Sequence, residues 1–502
     1  MKHTSPTVRS SAAVVPSSAG TVEQKPIQTN TNKLMLSETE PESVHTSEAV
    51  LTAPAKVSQS TGKPLGMEAF RVTGGRQLKG TVRASGSKNA SLPLIAAALL
   101  TDQPLILHDV PDLSDIRNML NLMGELGCSI DTQAHEDGSS RLTLHADPEG
   151  SSHAPYEIVK TMRASICVLG PLVARRGFAR VSMPGGCSIG DRPVDIHLRG
   201  LRALGAEIEL DQGDITARAP KGGLRGATIF LGGPFGSTVL GTANVMCAAA
   251  LANGKTIIES AACEPEIVDL ANMLRAMGAH ISGDGSPRIT IEGVPSLGGT
   301  THTVMPDRIE AGTWICAGAL MGEDLTITNC PMDSLLALTS VLEPSDVSIE
   351  VLDPASPQRT SVRVRRNGVI KPAVVTTQPH PGFPTDIQAQ VMALLSLADG
   401  NSIITERIFP DRFLHVAELS RMGATIHRQG PIAVVTGVRE LHGAPVMASD
   451  LRASASLVLA GLAAKGTTTI SRVYHLDRGY ERMDERLQTL GADIERFREV
   501  RK

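Results

Sequence analysis

The stretch LRALGAEI, residues 201–208, reads as the end of a helix, a glycine stop and the start of a strand. Leu201 and Leu204 lie three apart, on one helical face. Gly205 suits the left-handed helix terminus that a side chain resists. Apolar and polar residues then alternate, as in a half-buried strand. The same pattern returns as LMGELGCSI at 122–130, MLRAMGAHI at 273–281, ELSRMGATI at 418–426 and RLQTLGADI at 486–494. A degenerate sixth copy, LTSVLEPSDVSI, occupies 338–349.

A second element alternates with the first: an Ala/Leu-rich helix, a polar turn and a strand. Its copies begin at Leu94, Val168, Cys247, Ile315, Leu394 and Leu459. Six copies of a roughly 70-residue α/β unit predict stacked modules, because one such unit cannot bury its own apolar face. The small residues of the second helix suit close packing inside the structure. A repeat of this kind carries no activity by itself.

Composition narrows the function. The chain has 502 residues, 41% hydrophobic and 20% charged, with a net charge of -4. That is an ordinary globular balance with no basic face for a nucleic acid. Aromatics are only 2%, so Leu, Ile, Val, Ala and Met must build the core. No apolar run reaches the length of a membrane span, so none is expected, and no secretory signal is expected at the N-terminus. Seven cysteines without a CxxC pair read as free thiols in a reducing, cytoplasmic setting. Neither a metal nor a cofactor is expected. Residues 1–66 are Ser/Thr/Pro/Val-rich and contain no aromatic residue, so a disordered tail is expected. A transit peptide is disfavoured by Glu23, Glu38, Glu40, Glu42 and Glu48.

Chemistry is concentrated where the repeat breaks into apparent loops: SGSKNASLP at 85–93, KTMRAS at 160–165, PGGCSIGDRPVDIH at 184–197, PHPGFPTDIQAQ at 379–390, DLRASASLVLAG at 450–461 and YHLDRGYER at 474–482. Cys187 follows two glycines and precedes Arg192, a setting that lowers a thiol pKa and lets it act as acid or nucleophile. The apolar helical or strand surroundings of Cys128, Cys247, Cys263, Cys316 and Cys330 suggest inert thiols. Lys88, Arg163, Arg192, Arg452 and Arg478 sit among small residues, as cations that meet a phosphate and a carboxylate would. Asp386 follows Pro384 where a helix should begin, so it reads either as a helix cap or as a proton acceptor.

Together these segments resemble the UDP-N-acetylglucosamine 1-carboxyvinyltransferase family. KTMRAS, PGGC-I--RPVD, EPEIVD (264–269), PHP-FPTD-QAQ, ELSRMGA, DLRASASLVLAG and DRGYER all appear in order, and the likeness runs from about Met67 to the C-terminus. The resemblance implies an α/β fold of two inside-out barrels, built from six βαβ-type units, with the site in the cleft between them. It places 88–305 in the first barrel. It places 67–87, as a strand that crosses back, with 306–502 in the second. It implies enolpyruvyl transfer from phosphoenolpyruvate to the 3-hydroxyl of UDP-N-acetylglucosamine with release of phosphate, the first committed step of peptidoglycan precursor synthesis. No obligate protein partner is implied.

By the same resemblance Cys187, Asp386, Lys88 and Arg478 are catalytic. Lys88, Asn89, Arg192, Arg452 and Arg478 match the phosphoenolpyruvate contacts. Arg163, Arg192, Pro193, Val194, Asp195, Ile196, Thr238, Val239, Asp386 and Ile408 match the sugar-nucleotide contacts. The chain departs from the family pattern at Thr238–Thr242, where SVGAT is common, and near Gly236, where some members carry a lysine. It also has Cys167 where some members have tryptophan, and Asp112 and Ser114 where lysines occur. Two other readings compete: the related shikimate-pathway transferase, which needs no cysteine, and a non-catalytic binder of the sugar nucleotide, which needs no general acid.

Overall fold

The computed structural model describes residues 67–134, 140–184 and 194–499. The expected tail, Cys187, Arg192 and Pro193 lie outside the described residues.

The quoted stretch folds as it reads. A helix over Asp195–Ala203 ends before Gly205, at φ +94°, and a strand runs over Glu207–Asp211. Gly127, Gly278, Gly423 and Gly491 have φ of 87, 106, 94 and 93° at the same place in their copies. The degenerate copy lacks the glycine: its helix Leu336–Leu342 leaves through right-handed Glu343 before the strand Val347–Val351.

The repeats form six four-stranded sheets of one design, in which a parallel strand, the central pair and an antiparallel edge follow in order. In one, Thr300–Thr303 lies parallel to β3 (Leu105–His108), which pairs antiparallel with Ser140–Ala146, and that strand with Cys128–Ala134. The last strand of this run of sequence thus closes onto the first sheet. In the C-terminal half, β1 (Glu68–Thr73) lies between Thr467–Ser471 and Asp493–Arg498, while β2 (Leu78–Arg83) pairs with Gly322–Cys330. The segment before Lys88 is therefore two strands in two sheets, not the single crossing strand expected. The short connection between them allows each to complete a different module.

The helices, not the sheets, fill the interior. Every residue of Arg308–Met321 and of Gln388–Leu395 is buried, whereas strands such as Asn401–Thr405 bury alternate positions only. Two hydrophobic cores result, one drawn from residues 90–304 and one from 70–84 with 309–494. Ala, Gly and Ser on the central helices permit this packing without voids.

Two passages of chain join the cores side by side. Ser87 N–H donates to the Met305 carbonyl at 2.7 Å, and Asp307 N–H to the Ser85 carbonyl at 2.8 Å. Gly86 is required here: a Cβ would come within 1.7 Å of the Asp109 carbonyl oxygen. Among the described residues, no helix is long and apolar enough to cross a membrane.

Candidate active site

Lys88 is placed by these passages. It is the first residue of α1 (Lys88–Ala97), whose cap Ser87 accepts from Ala90 N–H at 3.2 Å. The Lys88 N–H donates to Asp307 Oδ2 at 3.2 Å, and Asp307 Oδ1 caps the next buried helix through Ile309 and Glu310. One aspartate thus fixes the starts of two central helices together.

The side chain of Lys88 is only 9% exposed, and its Nζ lies 2.6 Å from Asp115 Oδ2. Asp115 is in the first turn of α2 (Ser114–Glu125), and its Oδ1 accepts from Arg478 Nε at 3.0 Å. Burial pushes the Asp115 carboxyl up, but Lys88 and Arg478 outweigh it and hold it below the usual carboxylate range. Beside this bridge, Ser114 Oγ donates to the Asp477 carbonyl at 3.3 Å.

Asp386 is not a helix cap. It lies in the 3-10 turn Thr385–Ile387, which leads into Gln388–Leu395 without a side-chain cap bond. Its carboxylate accepts from Arg412 Nη1 at 2.7 Å and from Arg452 Nε and Nη2 at 3.4 Å. Arg452 is itself fixed: Asp450 caps its helix by accepting from the Arg452 and Ala453 N–H groups, and its guanidinium lies 5.2 Å over the Tyr480 ring. Burial raises the Asp386 carboxyl, yet Arg412, Arg452 and Lys88 together drive it far below the ordinary range. The two clusters are also joined by contacts: Asp307, which accepts from the Lys88 N–H, caps the helix whose Thr313 hydroxyl accepts from Gln390 Nε2 at 3.0 Å, and the same amide donates to the Asp386 carbonyl at 3.0 Å. Ile408 is tied to the same place, because Glu406 accepts from its N–H at 2.9 Å and from Thr385 Oγ1 at 2.9 Å.

The motif segments prove to be helix starts more than loops. Lys88, Asp195 and Val239 open α-helices, Arg163 opens a 3-10 helix, and Arg452 is second in its helix. The positive end of the peptide dipole favours anions at such starts. Asn89, half-buried, follows Lys88 in α1.

Among the positions matched to the sugar nucleotide, Val194 is buried, Asp195 is exposed, and Arg163 and Ile196 are half-buried. Thr238 caps the helix of Val239 by accepting from Gly241 N–H at 3.3 Å. The loop before it lies against the Asp386 segment: a Cβ on Gly236, at φ +106°, would come within 2.9 Å of Pro379 Cγ. It also lies against the Asp195 helix, where a Cβ on Gly233 would come within 2.8 Å of Ile196 Cδ1.

Several groups escape a reading of the sequence. Asp115 and Arg412 are the first. Glu266 binds Arg308 through two contacts of 3.0 and 3.3 Å, and Glu264 accepts from His380 N–H at 3.3 Å. Burial pushes the Glu264 carboxyl up; burial and then Arg308 push His380 down to about 4. Glu264 and Glu266 belong to EPEIVD, so that motif gave a signal, whereas Asp115 and Arg412 stand in no motif.

Cys128, Cys167, Cys316 and Cys330 are buried thiols pushed up to about 11, 12, 12 and 12 by desolvation, and Cys247 is pushed up likewise. Cys263 differs from its expected apolar setting: it is only half-buried, in the coil before the helix Pro265–Ala276. No cluster of metal-ligating side chains occurs among the described residues.

The model of the family EPSP synthase (3-phosphoshikimate 1-carboxyvinyltransferase) matches residues 72–487, which sets the class: six sheets around buried helices are the enolpyruvyl transferase fold. The enolpyruvyl transferase NikO from Streptomyces tendae superposes with a TM-score of 0.77 at 27% identity, covering 86% of this chain and 100% of its own. EPSP synthase from Acinetobacter baumannii shares the fold at a TM-score of 0.66 and 19% identity, over 86% of this chain and 100% of its own. Among curated relatives, UDP-N-acetylglucosamine 1-carboxyvinyltransferase of Anaeromyxobacter sp. (strain Fw109-5) is 54% identical over 86% of this chain and 99% of its own length. That of Akkermansia muciniphila is 50% identical over the same shares. The chain belongs to the UDP-N-acetylglucosamine 1-carboxyvinyltransferase family.

Proposed function

We propose that this chain transfers the enolpyruvyl group of phosphoenolpyruvate to the 3-hydroxyl of UDP-N-acetylglucosamine, releasing phosphate, as the first committed step of peptidoglycan precursor synthesis. The observation that carries this reading is the cluster of Lys88, Arg478 and Arg452 against the carboxylates Asp115 and Asp386. Three cations suit a substrate bearing a phosphate and a carboxylate, since charge that develops during reaction is best met by groups already in position.

The hydroxyl adds to C2 of the enol and gives up its proton while Cys187 delivers a proton to C3, or the thiol first adds to C2 as C3 is protonated and leaves before the hydroxyl adds; the tetrahedral ketal then loses phosphate from C2 and a proton from C3, which restores the vinyl group. Asp386 is ionised at neutral pH and so able to accept a hydrogen bond from the attacking hydroxyl. Two arginines make it a weak base, suited to orienting the hydroxyl more than to removing its proton early. Arg163, Arg192, Pro193, Val194, Asp195, Ile196, Thr238, Val239 and Ile408 hold the sugar nucleotide, and Asn89 assists Lys88.

Two domains serve this chemistry, 88–305 and 67–87 with 306–502. Their separate hydrophobic cores support the division. The free described thiols fit the cytoplasm as the place of action. The test is phosphate release by reduced protein: it should require both substrates together. Release with shikimate 3-phosphate as acceptor would assign the chain to the other transferase, and release with neither would leave a non-catalytic binder.

A further inference from the structure

Asp115 stands where no sequence motif led, yet it touches two of the cations that a substrate anion needs. Its side chain is 3% exposed, with Oδ2 2.6 Å from Lys88 Nζ and Oδ1 3.0 Å from Arg478 Nε. The partners come from different parts of the fold. Asp115 belongs to the helix whose Ile116, Met119 and Leu122 enter the first core, Lys88 to the passage between cores, and Arg478 to the 3-10 helix whose Val473 and Leu476 enter the second. A carboxylate offers two oxygens in one plane, the minimum that a phosphate or a substrate carboxylate also offers to a lysine and an arginine. Its own helix start and the Ser114–Asp477 contact fix its position.

We propose that Asp115 is an internal stand-in for the substrate anion: in the unliganded protein it occupies Lys88 and Arg478, and it yields them when the anion of phosphoenolpyruvate arrives. This rests on the function proposed above and deepens it. Lys88, 9% exposed, stays paired between turnovers, so it is not left as an uncompensated buried charge. The carboxylate also weakens the grip of the site on a bare anion, which hastens departure of the product phosphate. Asp115 is thus a positioning residue with an energetic role in release.

The experiment is calorimetric titration of inorganic phosphate into unliganded wild-type protein and the Asp115→Asn variant. Removing one negative charge beside the anion should tighten phosphate binding by about tenfold or more. The variant should also show stronger product inhibition by phosphate, with kcat lowered while KM for phosphoenolpyruvate falls or stays the same. Asp115→Glu, which keeps the charge, should bind phosphate within about threefold of wild type by the same Coulomb argument. If Asp115→Asn does not fold, Lys88→Gln and the double variant Lys88→Gln/Asp115→Asn replace it, since the double variant removes a charge pair together. Stronger phosphate binding by the double variant than by Lys88→Gln alone supports the proposal. Equal or weaker phosphate binding on loss of the Asp115 charge, in either pair, overturns it. Absence of turnover by wild type would count against the transferase reading alone, because the titration needs no reaction.

Discussion

Asp115 and Asp386 are both carboxylates held by two cations, but they are built differently. Asp386, Arg412 and Arg452 all lie in the part of the chain that forms the second core, and their contacts of 2.7 and 3.4 Å need nothing from the first. Asp115 is held at 2.6 and 3.0 Å by Lys88 from the connecting passage and Arg478 from the second core. One cluster is complete within a single core, and the other exists only where the cores meet. An enzyme that must admit a large sugar nucleotide and then exclude water gains from this division. On the proposed function, the group that would orient the hydroxyl draws its partners from one core, while the group that would meet the anion draws them from both.

The comparison can be broken most forcefully at Arg452, whose side chain is 1% exposed. Arg452→Ala leaves Asp386 with Arg412 alone and should cost about 3 kcal/mol of stability, the upper end for losing a hydrogen-bond partner of a charged group. Chemical denaturation checks this, and a loss confined to turnover would show that Asp386 does not need its second arginine. Lys88→Ala acts on both clusters; kcat should fall by about 10²–10³-fold, the range for removing one preorganised charge-stabilising group. Steady-state kinetics with the fold verified by circular dichroism decides this.

A smaller effect comes from pH. His415 is buried behind the Asp386 cluster, facing Arg412 and Asp450, and is pushed down to about 4, first by burial. Between pH 6.5 and 4 the unfolded chain binds a proton there that the folded chain refuses. Stability should therefore fall as pH drops through that window, by on the order of 2 kcal/mol. His415→Asn should flatten this part of the curve of Tm against pH. The least effect is expected far from both clusters. Lys79 and Glu323 form a 3.5 Å pair, 65% and 59% exposed, so Glu323→Gln should change stability by less than about 1 kcal/mol and leave kcat alone.

Much of the fold was legible because it depends on local rules. The glycines at 127, 205, 278, 423 and 491 each answer a left-handed helix end, and that requirement repeats visibly. The two strands before Lys88 were not legible as two, because their partners lie hundreds of residues away and nothing local announces which sheet each one joins. In the site, Lys88, Asp386, Arg452 and Arg478 stood out by their small-residue neighbours and by motif resemblance. Asp115 did not, although the neighbouring Asp112 and Ser114 drew notice, since its meaning arises from a lysine 27 positions earlier and an arginine 363 positions later. Arg412 sits in ordinary helix-flanking sequence, and only the folded chain reveals its contact with Asp386.

We propose that the thiol of Cys187, outside the described residues, acts with these cations in the reaction. The most direct measurement is phosphate release by Cys187→Ser with both substrates present, alongside calorimetric titration with UDP-N-acetylglucosamine. Near-complete loss of release with sugar-nucleotide affinity retained is the expected result. Release at the wild-type rate would contradict the account.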